Sequence, residues 1–397
     1  MFIEKDTTIL IEGRARISVK GCAEIFGCPI KDVEVKEGKI LPVYVNEDSE
    51  IDIDGNYIAV KGKTIPKNWD ELVEEIRSNE YRKILFLGET DSGKSSLAAY
   101  LVNRLDGRKW VVDLDIGQSD IAHPCAMGFG FTDHKIISIS QIDMFDGFFI
   151  GTITPTGNEA RCLRGVTVIM KKLERLLKNG DRVLIDTTGW VRGKRAKNYK
   201  LAKIEIINPD VIVCFNQIPH YLDSFNTFKV DSFVLKKRSR ELRSSIRSKI
   251  YAEWLENSDV RCFKVDEINL GNTTLFKGEK IDFLEGVLDA EVVYAEKGDD
   301  FLNVCVEKEV KVGLELIRAL LSIYKVKEVC IFSIDQIKRL LVGLYGERYL
   351  GCGLLEDVNL EDREISILTP VRDAVKRIEF GEIRLDENYR EVHIRVP

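Results

Sequence analysis

No stretch of this chain has the uninterrupted apolar length that a membrane span needs, which excludes a helical membrane protein as the expectation. The first residues, MFIEKDTTILIEG, carry acids early and lack the apolar core of a signal peptide, so an intracellular, cytoplasmic protein is expected. The nine cysteines contain no CxxC pair. An odd number without paired spacing excludes a disulfide framework and leaves reduced, mostly buried thiols. Four histidines (His123, His134, His220, His393) lie too far apart in sequence to form a metal cluster. Positive charge is not in excess either: the net charge is −6. That excludes a protein that coats nucleic acid non-specifically, so any nucleic-acid site must be a local basic patch on an acidic body. Glutamine is sparse while charged residues are plentiful, a composition of the thermophilic kind.

What is present describes a globular protein of two to four domains: 397 residues, 44% hydrophobic and 31% charged. Residues 1–66 hold short alternating runs (Thr8–Ile11, Arg16–Val19, Val33–Val35, Ile51–Ile53, Tyr57–Val60) punctuated by glycines, the pattern of a small antiparallel β domain with nothing catalytic in it. Trp69–Ile76 reads as a helix, and from there to about Leu288 strands and helices alternate, which predicts a mostly parallel sheet over 67–290. Buried strands are expected at Trp110–Val112, Arg182–Ile185 and Val211–Phe215. Residues 291–397 begin Val292-Val293-Tyr294, contain a helical run at Glu315–Tyr324 and close with Val392–Val396, a mixed α/β pattern. The fold class expected is therefore α/β, with the central domain flanked by the two smaller ones.

The chain is organised around Arg82–Leu105. Ile84–Leu87 is a short buried-strand run, and Gly88-Glu89-Thr90-Asp91-Ser92-Gly93-Lys94-Ser95-Ser96 follows it as a full phosphate-binding loop. Leu97, Ala98, Leu101, Val102 and Leu105 then recur at helical spacing. Glycines let backbone wrap phosphates, and amides at a helix start supply positive partial charge. Lys94 is expected to reach the β- and γ-phosphates and Ser95 to hold Mg²⁺. A chance match in an ordinary βα loop is the alternative, and the correct context on both sides argues against it.

Three further signals follow. Asp113 and Asp115 lie at the end of a buried strand, where a Mg²⁺-side carboxylate sits in this fold class, although Asp113 also fits a loop cap. Many ATP-hydrolysing machines place a Glu directly after such an Asp to activate water; Ile116 stands here, which favours a substrate hydroxyl as acceptor. A second acidic strand end, Asp186-Thr187-Thr188-Gly189-Trp190, resembles a GTPase turn, yet Asn216-Gln217-Ile218-Pro219 replaces the guanine-reading Asn-Lys-x-Asp. Trp190 followed by Arg192, Lys194, Arg195, Lys197 and Lys200 is an arrangement for stacking a base beside neutralised phosphates, or a core Trp beside a solvated turn. Last, Leu235–Arg247 carries Arg240, Arg243 and Arg247 on one helical face with Glu241 as the sole local acid. Such a run is a solvated helix face or an arginine cluster over the phosphate loop.

Together these segments resemble the polynucleotide 5′-hydroxyl kinase family, the RNA kinases of tRNA splicing, pre-mRNA 3′-end cleavage and rRNA processing. The phosphate loop, Asp115-Ile116-Gly117-Gln118, the clasp Thr187–Gly193 and lid arginines Arg238, Arg243 and Arg247, spaced by five and four, carry the resemblance. So do Gly151–Pro155, Gly21–Gly27, Leu340–Leu355 and Ile367–Pro370, which makes it nearly end to end. The three-domain order and small size are archaeal-like. Two positions depart: Cys125 follows Pro124 where the family often has Pro-Gly, and Thr188 fills a variable clasp position.

The resemblance implies ATP or GTP with Mg²⁺ as cofactors and 5′-hydroxyl RNA, or also DNA, as acceptor. RNA-processing proteins are the implied partners, reached through the flanking domains. Asp115 would be the general base and, with Ser95, a Mg²⁺ residue. Lys94 and the lid arginines would neutralise the transferring group. Gln118, Thr187, Gly189, Trp190 and Arg192 would meet the nucleic acid. A non-catalytic ATP-binding scaffold is the alternative, with Asp115 and the arginines arguing for the enzyme.

Overall fold

The computed structural model describes residues 1–234, 237–283, 286–394 and 396–397. They form two compact units, Met1–Phe148 with Ile153–Ile246, and Phe149–Thr152 with Arg247–Pro397.

The first unit opens with β1 (Phe2–Ile3), β2 (Thr7–Ile25), β3 (Cys28–Val35), β4 (Ile40–Val45) and β5 (Ser49–Lys61). They pair antiparallel in the order β1-β5-β2-β3, with β4 also on β2. The long β2 merges Thr8–Ile11 and Arg16–Val19 into one bent strand, and β4 carries Pro42 opposite Leu10.

Helix α1 (Lys67–Ser78) buries Trp69, Leu72, Val73 and Ile76, one face at helical spacing. Strand β6 (Lys83–Leu87), the phosphate loop and α2 (Lys94–Arg104) follow in the expected order. Then come β7 (Lys109–Leu114), β8 (Ala126–Thr132), β9 (Asp146–Phe149), α3 (Glu159–Glu174), β10 (Arg182–Thr187), α4 (Lys194–Ile207), β11 (Val211–Phe215) and β12 (Thr227–Val230). Their sheet runs β12-β11-β6-β10-β7-β8-β9. β6, β7, β10, β11 and β12 are mutually parallel, and β8 returns antiparallel beside β7. Of these, β6, β7, β10 and β11 are buried almost throughout, as strands covered on both faces are, while β12 at the edge is more open. Parallel order brings the carboxyl ends of β6, β7 and β10 to one edge, where ligands bind in open α/β sheets. One continuous apolar core joins this sheet to the N-terminal one, from Ile9 and Val43 through Trp69 to Val213.

Helix α5 (Arg240–Trp254) starts in the first unit and continues into the second. There a seven-stranded, mainly antiparallel sheet is built on Leu340–Tyr345, Tyr349–Asn359, Glu364–Thr369 and Arg377–Leu385. Strand Asp259–Lys264 hydrogen-bonds to Glu364–Thr369 and so belongs to this sheet, although alternation in the sequence draws it into 67–290. A four-stranded sheet containing Val292–Lys297 and Phe301–Val306 packs with the helix Leu314–Tyr324. The closing strand is Glu391–His393; Arg395, expected within it, lies outside the described residues. Among the described residues no helix is long and apolar enough to cross a membrane.

Candidate active site

The loop after β6 turns because Asp91 and Gly93 take left-handed backbone, φ 57° and 96°, and Gly93 opens directly into α2. Gly88 has no room for a side chain: a Cβ there would stand 2.5 Å from Ser92 Oγ. Lys94 is 6% exposed, and its Nζ donates to the carbonyls of Glu89 (2.8 Å) and Gly88 (3.3 Å). The ammonium thus lies in the mouth of the loop. Ser92 Oγ is buried with no hydrogen-bond partner among the described residues.

Ser95 Oγ donates to Asp186 Oδ2 at 2.6 Å. Ser95 and Asp115 are the expected Mg²⁺ residues; the acid that Ser95 itself meets comes from the end of β10. β7 and β10 are in register there, with Asp113 opposite Asp186. Both are buried, and burial, with the Asp186 charge next, pushes Asp113 well above the usual carboxylate range. Burial also raises Asp186, opposed by the Lys94 charge and the Ser95 hydroxyl. Asp186 Oδ1 has no hydrogen-bond partner among the described residues. A buried, unsatisfied carboxylate oxygen beside a hydroxyl fits a hard cation, which costs no proton and satisfies the oxygen. No group of three His, Cys, Asp or Glu residues forms a metal cage among the described residues; Mg²⁺ needs only one or two such ligands when phosphates supply the rest.

Asp113 proves to be the loop anchor. Its Oδ1 accepts from Asp115 N at 3.0 Å, and its Oδ2 from Asp120 N at 2.6 Å and Ser119 Oγ at 3.0 Å. Asp115 stands half-exposed beyond it. Its Oδ1 accepts from the amides of Gly117 (3.0 Å) and Gln118 (3.2 Å), which fixes the carboxylate through one oxygen. Ile116 is fully buried.

In the clasp, Thr187 and Lys200 lie deeper than the sequence suggests. Thr187 is 1% exposed; its hydroxyl donates to Phe86 O at 2.8 Å and accepts from Lys200 Nζ at 3.0 Å. It therefore braces the clasp from within, with its hydroxyl fully used. Lys200 is no part of a surface basic run. It too is 1% exposed, and its Nζ also donates to Thr188 O (2.5 Å) and Thr188 Oγ1 (3.3 Å). Burial, with Lys203 and Lys94 nearby, depresses its basicity strongly. Gly189 lies on the phosphate loop: a Cβ would meet Thr90 N at 2.3 Å, so only glycine fits. Trp190 is half-buried against Tyr199, ring centroids 5.7 Å apart. Arg192 pairs with Glu89 (2.5 Å) and Arg195 with Glu159 (2.6 Å).

The lid run likewise finds acids that lie far away in sequence. Leu235 and Lys236 lie outside the described residues. Lys237 pairs with Glu89 at 2.8 Å. Lys237 and Arg192 together hold the Glu89 carboxyl below its ordinary range. Arg238 and Arg243 both meet Asp91. Arg240 is exposed, and Arg247 makes a two-pronged pair with Glu391, Nε to Oε1 at 2.5 Å and Nη2 to Oε2 at 2.7 Å. The three arginines of one helical face thus part company. The sequence offers no signal for these pairings, since each acid lies in a different segment.

Fold and site together define a P-loop nucleotide-binding protein whose loop is flanked by an aromatic clasp and an arginine-bearing lid. Residues 88–257 match the family model described as mRNA cleavage and polyadenylation factor CLP1 P-loop. The polyribonucleotide 5′-hydroxyl-kinase of Pyrococcus abyssi is 30% identical over 348 residues, 83% of this chain and 95% of the relative. That of Methanocaldococcus jannaschii is 28% identical over 352 residues, 83% and 94%. Human polyribonucleotide 5′-hydroxyl-kinase Clp1 is 24% identical, covering 66% of this chain and 74% of its own. The solved complex of wild-type Clp1p with Pcf11p shares the fold, with TM-score 0.65 at 13% identity over 97% of each chain. The chain belongs to the Clp1-type polyribonucleotide 5′-hydroxyl-kinase family.

Proposed function

We infer that this chain transfers the γ-phosphate of ATP or GTP to the 5′-hydroxyl of RNA, with DNA as a second acceptor. The observation that carries this reading is the meeting of four segments at one sheet edge. The Lys94 loop, the Ser95–Asp186 pair, the Asp115 turn and the Trp190 clasp converge there, in a chain that aligns with archaeal polyribonucleotide 5′-hydroxyl-kinases over most of its length.

Nucleotide phosphates lie along Gly88–Ser96, where loop amides and Lys94 attract them. Ser95 and Asp186 would hold Mg²⁺, which would supply positive charge to the triphosphate. Asp115, held through Oδ1 by two amides, keeps Oδ2 for the proton of the acceptor hydroxyl. Trp190 stacks the terminal base, Arg192 and Gln118 meet the adjoining backbone, and Gly189 lets clasp and phosphate loop touch. Arg238 and Arg243 face the charge that develops in transfer. Arg247, expected beside them, instead fastens α5 to Glu391. The absence of Asn-Lys-x-Asp after β11 gives no support to guanine specificity.

The division into β segment 1–66, kinase segment 67–290 and C-terminal segment 291–397 belongs to this proposal as a division of tasks along the chain, with Asp259–Lys264 paired into the C-terminal sheet and the flanking segments recruiting RNA-processing proteins in the cytoplasm. The test is direct. Purified protein is incubated with γ-labelled ATP, Mg²⁺ and a 5′-hydroxyl oligoribonucleotide. Label on the RNA 5′ end is expected; ATP binding without transfer would make the chain a scaffold instead.

A further inference from the structure

A phosphate loop is a poor place for a carboxylate. Its task is to attract anions, and a fixed negative charge inside it opposes that task. This loop carries two, Glu89 and Asp91. The Asp91 side chain is only 5% exposed, and both of its oxygens are occupied by the lid. Oδ1 accepts from Arg238 Nε at 2.7 Å and from its Nη2. Oδ2 accepts from the Arg238 backbone amide at 3.1 Å and pairs with Arg243 Nη1 at 3.5 Å. Arg243 Nη1 also donates to Arg238 O at 2.8 Å, which locks the two arginines into one unit.

We propose that Asp91 is a positioning residue for phosphoryl transfer, seating the lid arginines Arg238 and Arg243 on the phosphate loop through contacts made by protein alone. This rests on the kinase reading above and names how that site is assembled. Two guanidinium groups side by side repel each other, and a carboxylate between them removes the repulsion. One negative charge against two positive ones still leaves a net positive charge facing the loop. Each guanidinium has five N–H donors, and Asp91 uses only some of them, so donors remain for phosphoryl oxygens. Asp91 also fixes the lid's main chain through the Arg238 amide, and the left-handed turn at Asp91 ties that anchor rigidly to Lys94 three residues on. Arginines oriented in advance need no reorganisation when charge develops on the transferring group. The Glu89–Lys237 pair is a second, more exposed tie between the same two segments.

Asp91→Asn is the test, because Asn accepts left-handed backbone and keeps the side-chain shape while losing the charge. Single-turnover transfer to a 5′-hydroxyl oligoribonucleotide is expected to fall roughly tenfold to a hundredfold, the scale of a misplaced catalytic group. ATP affinity, measured by equilibrium titration, should hold or tighten, since an anion leaves the phosphate loop. In an Arg243→Ala background the same change should add little further loss, because both substitutions undo one arrangement. Trypsin should cleave after Lys237, Arg238 and Arg240 faster in Asp91→Asn, with no change elsewhere in the chain. An unchanged or higher transfer rate, losses that multiply in the double variant, or unchanged trypsin cleavage would overturn the assignment. Should Asp91→Asn melt far below the wild type, Arg238→Lys replaces it; losing the two-pronged contact should loosen the lid in the same way. If the wild type itself labels no RNA, the kinase reading fails, and the trypsin comparison still decides whether Asp91 seats the lid.

Discussion

Lys200 is the residue whose replacement separates clasp from chemistry most cleanly. Lys200→Met replaces a buried ammonium with an unbranched side chain of similar length, so little cavity forms. Three hydrogen bonds disappear, to Thr187 Oγ1, Thr188 O and Thr188 Oγ1. The two hydroxyls tolerate this: Thr187 keeps its bond to Phe86 O, and a hydroxyl rotates. Thr188 O is left unsatisfied, at a cost of about 1–3 kcal/mol. Against that, the ammonium itself is held at a depressed pKa by burial and by Lys203 and Lys94, so its removal returns part of the loss. A net stability change of at most about 1–3 kcal/mol is expected, tolerable against a total of roughly 5–15. Function should suffer more selectively. Without Lys200 the end of β10 no longer presses Gly189 onto Thr90, and Trp190 loses its fixed place. Losing a stack worth roughly 1–3 kcal/mol per base raises the oligonucleotide KM by about five- to a hundredfold. ATP binding should change little. Steady-state kinetics with each substrate varied in turn, beside a thermal melt, checks this. A lowered Tm with unchanged oligonucleotide KM would make Lys200 a core residue only, and an equal loss of ATP affinity would place its effect on the Lys94 side.

Three further outcomes are expected. Asp115→Asn should cut turnover about a hundredfold or more with ATP affinity kept, whereas Asp186→Asn should raise the Mg²⁺ concentration needed for half-maximal rate; the reverse pattern in a Mg²⁺ titration would exchange their roles. Trp190→Ala should raise the oligonucleotide KM by about one to two orders of magnitude and leave ATP binding alone; a large Tm loss with unchanged KM would show that its contact with Tyr199 is its whole purpose. Lys203 is fully buried, its Nζ without a hydrogen-bond partner among the described residues, 4.6 Å from the Tyr199 ring centroid, and burial pushes its pKa from 10.5 down to about 8. Because the folded pKa is depressed, the unfolded chain binds more protons between about 8 and 10.5, and this group's contribution to stability rises with pH across that window. Below it the penalty is complete, about 3 kcal/mol at ~1.4 kcal/mol per unit. Lys203→Met should therefore raise the Tm at pH 7 and flatten the alkaline rise; a lower Tm at pH 7 would mean that the ring and neighbouring acids outweigh desolvation.

The local machinery is legible along the chain. Strand, glycine loop and helix at 83–104 show in local patterns, the apolar run, the glycines and the helical spacing, even though the strand's hydrogen-bond partners lie far along the chain. The same holds for α1, whose buried face repeats every three or four residues, and for the buried strands at 109–114, 182–187 and 211–215. Strand β4 did not show itself, because Pro42 breaks the pattern expected of a paired strand. Which residues face one another is set by packing. Periodicity puts Arg243 and Arg247 on one helical face but cannot say that Asp91 waits for the first and Glu391 for the second, 152 and 144 residues distant. Lys200 reads as one more cation in a basic run until α4 turns it inward against Thr187 and Thr188. Ser95 meets Asp186 rather than Asp115 because parallel pairing sets β10 between β6 and β7. Local hydrogen bonds and side-chain spacing are written along the chain; the partner of a buried charge is set by which strand lies next in the sheet and which helix crosses it.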